Sequence, residues 1–194
     1  MNARTALSRR EVLVALGLLP LTAAIAAAPS VATPPGKILV AYFSRSGNTR
    51  VIAGQIQRAL RTRIFEILSV TPYPDDYEQT VEQARQERDR SYEPPLKSLV
   101  PDLGSVETLF LGFPIWGETA PPVIRSFLSN HDLSGKTLIP FITHGGYGLG
   151  NSLAVVARHA PRARILTGLT MEADQERRTL TTVTEWLGKV AITK

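Results

Sequence analysis

The segment Lys37–Phe43 (KILVAYF) is apolar at odd and even positions alike, then breaks off into Ser44-Arg45-Ser46-Gly47-Asn48-Thr49. A strand apolar on both parities must be covered on both faces, which commits the chain to a sheet sandwiched between helices. The rest of the sequence repeats this unit. Ile52, Ile56, Ala59 and Leu60 recur at helical spacing within residues 50–60. Residues 63–68 (RIFEIL), 108–113 (TLFLGF), 137–143 (TLIPFIT) and 164–169 (RILTGL) predict further strands. Residues 77–90, 121–128, 151–159 and 174–190 predict further helices; Pro94-Pro95 stops the first of these, and Pro121 suits a first helical turn. Five strands alternating with helices predict a parallel sheet covered on both faces.

The unit begins only at residue 37. Before it, Arg4, Arg9 and Arg10 precede an uncharged run from Val12 to Ile25, and Ala26-Ala27-Ala28 offers small-residue cleavage positions. That run is shorter than the ~20 residues a spanning helix needs, so residues 1–28 are read as a cleaved export signal, and no stable membrane span is expected in the mature form. Ser8-Arg9-Arg10-Glu11-Val12-Leu13 resembles the twin-arginine signal of bacteria, which places the mature protein in the periplasm or otherwise outside the cytoplasm. Cleavage after Ala26, Ala28 or Ala32 fits the small-residue rule. Residues 29–36 form a linker, and residues 37–194 the folded domain.

Composition removes several functions. The chain has 194 residues and no cysteine, which excludes disulfides, thiolate metal sites and a cysteine nucleophile. The net charge is +5; loss of residues 1–28 takes away three arginines and one glutamate and leaves +3. No Lys/Arg-rich run remains, so a nucleic-acid partner is not expected. His131 and His159 lack metal-ligand spacing. Asp75-Asp76 and Glu82/Glu87 are interleaved with Arg85, Arg88 and Arg90 and read as a solvated helix face rather than an acid–base pair.

Parallel sheets hold ligands beyond the carboxyl ends of their strands, so the turns after the first, third and fourth strands matter most. Residues 44–49 pack hydroxyls, an amide and a glycine between a strand and a helix start. Unpaired N–H groups and partial positive charge at that helix start favour a phosphate. An N-cap by Ser46 or Asn48 alone would need fewer polar residues. The lysine-bearing nucleotide loop and the G-x-G-x-x-G turn are both absent. Pro114, Ile115 and Trp116 offer a planar apolar wall, and Gly117 lets the backbone approach a ligand closely. The turn from Thr143 through His144, Gly145, Gly146 and Tyr147 to Gly150 is rich in glycine and presents backbone N–H groups.

Phe43–Thr49 resembles the phosphate loop of flavodoxins, which hold the phosphate of flavin mononucleotide (FMN). Tyr73-Pro74-Asp75-Asp76-Tyr77, Gly112–Gly117 with Thr119-Ala120-Pro121-Pro122, and Thr143–Gly146 with Gly148-Leu149-Gly150 are similar to the same family. The resemblance runs in order from about Lys37 to the end. It implies a flavodoxin-like three-layer sandwich whose five-stranded parallel sheet has the order 2-1-3-4-5, with FMN as cofactor. Ser44, Arg45, Ser46, Gly47, Asn48 and Thr49 would then hold the phosphate. Pro114, Ile115, Trp116 and Gly117 would flank the ring, and Thr143, His144, Gly145, Gly146, Tyr147 and Gly150 would wrap its pyrimidine edge. Tyr147 either stacks on the ring or covers the loop; His144 is read as a hydrogen-bonded loop residue rather than a proton donor.

Two functions follow from the resemblance. One is an electron carrier passing electrons through FMN to a redox partner protein; the other is an FMN-dependent reductase using NAD(P)H or a donor protein and a quinone. The chain departs from the family in its basic balance, in Arg45 and Arg50 beside the phosphate loop, and in Gly117-Glu118, where relatives carry a second bulky residue.

Overall fold

The computed structural model describes residues 36–173 and 176–190. The expected export signal, and all of the expected linker except Gly36, lie outside the described residues. The strands are β1 (Ile38–Tyr42), β2 (Arg63–Glu66), β3 (Thr108–Pro114), β4 (Thr137–His144), β5 (Arg164–Ile165) and β6 (Leu169–Glu172). All pairings are parallel, in the order β2-β1-β3-β4-β5, with β6 also beside β4. This is the order that the resemblance implied. The helices are α1 (Asn48–Leu60), α2 (Tyr77–Asp89), α3 (Pro122–Ser129), α4 (Ser152–His159) and α5 (Glu176–Leu187).

Strand periodicity divides the core in two. Leu39, Ala41, Leu109 and Leu111 pack with Val123, Ile124 and Phe127 of α3 and Val156 of α4. Their neighbours Val40, Tyr42 and Phe110 pack on the other face with Ile52 and Ile56 of α1 and Val183 of α5. Burial on both faces is what the continuous apolar runs require.

The expected fifth strand, 164–169, is two short strands. The Arg164 N–H donates to Lys136 O (2.8 Å) and the Leu166 N–H to Leu138 O (2.9 Å), so the even-numbered residues of β4 face this edge. Pro140 is next in that row and has no N–H to donate. The ladder lapses there, and between the pairs Leu138↔Ile165 and Phe141↔Leu169 the edge chain carries one residue more than β4. Proline in a sheet is tolerated at such a bulge.

Helix α2 also departs from the solvated face expected of it. Asp76 caps it, its Oδ1 accepting the Gln79 N–H at 2.9 Å. Glu87 is buried, and its carboxylate accepts the Tyr73 hydroxyl (2.7 Å) and the Gln83 amide (2.8 Å). Burial, then the neighbouring Glu87 carboxylate, pushes the Tyr73 phenol far above its ordinary range. No helix among the described residues is long and apolar enough to cross a membrane.

Candidate functional site

The loop after β1 is held from within. The buried Ser44 hydroxyl accepts the Gly47 N–H (3.1 Å), and Gly47 takes φ +99°, a left-handed conformation that turns the chain into α1. Gly47 itself is the N-cap residue, so neither Ser46 nor Asn48 occupies that position. The start of this 13-residue helix, with its partial positive charge, adjoins the loop. Arg50, which flanks the loop, pairs with Glu66 at 2.6 Å. Arg45 donates to Asp75 O (3.1 Å) and lies 5.8 Å from the Tyr77 ring centre.

Thr49 and Thr143 share a buried hydroxyl–hydroxyl bond of 2.8 Å. It ties the first turn of α1 directly to the end of β4. One proton of this pair is committed to the bond; the other hydroxyl hydrogen remains to donate elsewhere.

Beyond β3, Trp116 and Thr119 exchange backbone bonds (3.0 and 3.3 Å) around Gly117 (φ +56°) and Glu118 (φ +63°). This is a two-residue turn with both central residues left-handed. The half-buried Trp116 ring packs edge-on against Phe43 (5.2 Å) and Tyr73 (4.8 Å). The Ile115 N–H donates to Thr143 O (2.8 Å), so the third and fourth turns leave the sheet side by side.

In the turn after β4, His144 Nδ1 accepts the Gly146 N–H at 3.1 Å. A neutral ring bonded in this way carries its proton on Nε2. Tyr147 is 88% exposed. Gly150 meets the β3 turn so closely that a Cβ on it would lie 1.9 Å from Glu118 O, and Asn151 N–H donates to the same carbonyl (2.9 Å). Gly150 thus locks two turns together.

These turns converge on one cavity of about 330 Å³. Arg45, Ser46 and Asn48 line it from the first turn and the start of α1; Pro114, Ile115, Trp116 and Gly117 from the end of β3 and the turn after it; Thr143, His144 and Gly145 from the end of β4 and the turn after it. The remaining candidates do not line it. Ser44, Gly47 and Thr49 shape the first turn, while Gly146, Tyr147 and Gly150 belong to the outer part of the last. A lining that joins Pro114, Ile115 and Trp116 to Ser46 and Asn48 at a helix start suits a flat ring bearing a phosphate.

One wall was not foreseen. Tyr77, Thr80, Val81, Ala84, Arg85 and Arg88 of α2 also line the cavity. They fall three or four residues apart on one face. That spacing was visible in the sequence, but the charges between them concealed it.

The flavodoxin family profile matches residues 37–190. A protein of Bacteroides eggerthii described as a flavoprotein is 31% identical over 80% of this chain and 98% of its own, with a TM-score of 0.70. Another from Bacteroides uniformis is 30% identical over 79% and 98%, with a TM-score of 0.69. A Lactobacillus acidophilus flavoprotein solved in complex with FMN shares the fold at 18% identity, over 74% and 97%, with a TM-score of 0.61. No curated protein matches the sequence significantly. With its profile match, its strand order and its three converging turns, the chain belongs to the flavodoxin family.

Proposed function

We propose that the protein binds FMN in this cavity and passes electrons through it. The observation that carries the proposal is the convergence of three turns, from β1, β3 and β4, on one cavity at the carboxyl ends of the strands. The start of α1, with Ser46 and Asn48, would receive the phosphate. Pro114, Ile115 and Trp116 would cover the ring and exclude water, and the backbone around His144 and Gly145 would meet its polar edge. His144 holds this last turn through the Gly146 N–H. When bound, FMN supplies the electron storage; the protein supplies position and electrostatics.

The first reading is an electron carrier whose cavity opens beside exposed Tyr77 and Val81. The second is a reductase of small molecules, favoured by the extra wall from α2. Anaerobic spectroscopy of the FMN-loaded protein separates them. A carrier keeps its oxidised spectrum with NADH and NADPH, yet after photoreduction it is reoxidised by a haem protein. A reductase is bleached by a nucleotide and restored by a quinone. A protein that retains no flavin overturns both.

Residues 1–28 would act as an export signal of the twin-arginine type, supported by Arg9-Arg10 ahead of the uncharged run. Cell fractionation tests this: mature protein in the periplasm supports it, and full-length protein confined to the cytoplasm contradicts it.

A further inference from the structure

Helix α2 contributes a cavity wall that the three flavin turns do not account for. Tyr77, Val81, Ala84, Arg85 and Arg88 share one face of the helix and line the cavity alongside Pro114–Gly117. The wall is cationic. Among the described residues, Arg85 and Arg88 join Arg45 in the lining, and none of those that line the cavity is Asp or Glu. Two carboxylates of α2 that are not among the lining residues pair with the guanidinium groups. Glu82 lies 2.7 Å and Asp89 3.4 Å from Arg85, and Asp89 lies 3.2 Å from Arg88. Such exposed pairs are weak, so they orient the arginines and leave them able to bind a further anion.

Arg88 also reaches across to the Trp116 turn, its Nη1 lying 3.5 Å from Gly117 O. It therefore stands where a molecule in the cavity would pass between helix and turn. Beside the arginines, Tyr77 and Val81 are 64% and 45% exposed and give the same wall an apolar surface. Guanidinium forks next to an aromatic ring and a branched aliphatic chain match a flat molecule with an anionic group at one end.

We infer that the α2 wall is a subsite for a planar redox substrate bearing a phosphate, carboxylate or sulfonate. This rests on the second reading above, in which a small molecule meets the bound flavin. In the transfer, a quinone takes two electrons and two protons from the reduced cofactor and becomes a hydroquinone. In the opposite half-reaction, a reduced nicotinamide would give a hydride to the oxidised flavin, which takes one further proton from solvent, and would leave as the oxidised nucleotide. The anion has two sources in this chemistry: the 2′-phosphate of NADPH, or an acidic substituent on a quinone.

The test uses the FMN-loaded full chain and its Arg85→Gln/Arg88→Gln variant, with flavin content measured first. Photoreduced protein is mixed with a naphthoquinone sulfonate and, separately, with a neutral naphthoquinone. Oxidised protein is mixed with NADPH and with NADH. The subsite predicts that the anionic-to-neutral rate ratio falls about tenfold or more in the variant, the scale of one lost charge-assisted contact. A fall confined to the quinone ratio assigns an acidic quinone, and one confined to NADPH over NADH assigns the nucleotide phosphate. Arg85→Lys/Arg88→Lys restores part of the ratio. Unchanged ratios in both arms overturn the subsite. Flavin lost from the variant alone also overturns it, by assigning the arginines to the cofactor. Flavin absent from the unmodified protein overturns FMN binding itself.

Discussion

Gly150 has no room for a side chain. Its φ is +51° and a Cβ would sit 1.9 Å from Glu118 O, a backbone atom that cannot move without breaking its bond from Asn151. Gly150→Ala is expected to cost about 2 kcal/mol or more, from left-handed strain plus the clash. Urea denaturation checks this, and a loss below about 0.5 kcal/mol, the range of an unconstrained surface change, contradicts the close approach. His131 carries a second residue-scale prediction. Its Nε2 accepts the Val100 N–H (3.0 Å), and its Nδ1 bonds Phe127 O (2.7 Å). Burial pushes its pKa down, against the Phe127 carbonyl, which pushes it up. The folded value lies below the unfolded one of about 6.5. As the pH falls through the unfolded value, the unfolded chain takes up the proton first and stability drops; the drop ends once the folded ring titrates as well. Urea midpoints measured from about pH 8 down to about pH 5 should fall in the native protein, and fall less steeply in His131→Asn.

At the scale of elements, the turns matter through what they fasten. The Thr49–Thr143 bond joins the start of α1 to the end of β4. A double-mutant cycle with Thr49→Val and Thr143→Val should give a coupling of about 1 kcal/mol, the net worth of one hydrogen bond; additive losses would show that the two hydroxyls act separately. Asp76 is the matching device on α2. Asp76→Ala should lower stability by about 1 kcal/mol, and helix content by circular dichroism should fall with it. Which elements exist was legible in the sequence, because apolar runs such as Lys37–Phe43 carry their burial with them. Two features were not. The break between β5 and β6 is caused by Pro140 on the neighbouring strand, and pairing across strands leaves no mark within residues 164–169. The role of α2 was hidden because Arg85 and Arg88 interrupt the apolar stripe of Tyr77, Val81 and Ala84, and a charged stripe reads as solvent-facing unless its neighbours are known.

For the whole molecule, topology assembled the candidate site. Turns at residues 44–49, 114–117 and 143–145 are far apart in the chain, yet they meet because β1, β3 and β4 are adjacent and parallel. Their meeting was readable from strand order. The division of labour among the residues was not: Thr49 and Gly150 are typical ligand-loop residues by type, but here their contacts join one turn to another. Among the described residues the cavity is lined by three arginines and by no carboxylate. The most direct measurement is a titration of FMN with flavin-free full-length protein, followed by flavin fluorescence. Trp116 lines the cavity, so stoichiometric binding should quench the emission, and Trp116→Ala should restore much of it and weaken binding about tenfold or more, as expected for loss of a large aromatic contact. Emission that stays unchanged as protein is added in excess would contradict a flavin site at these three turns.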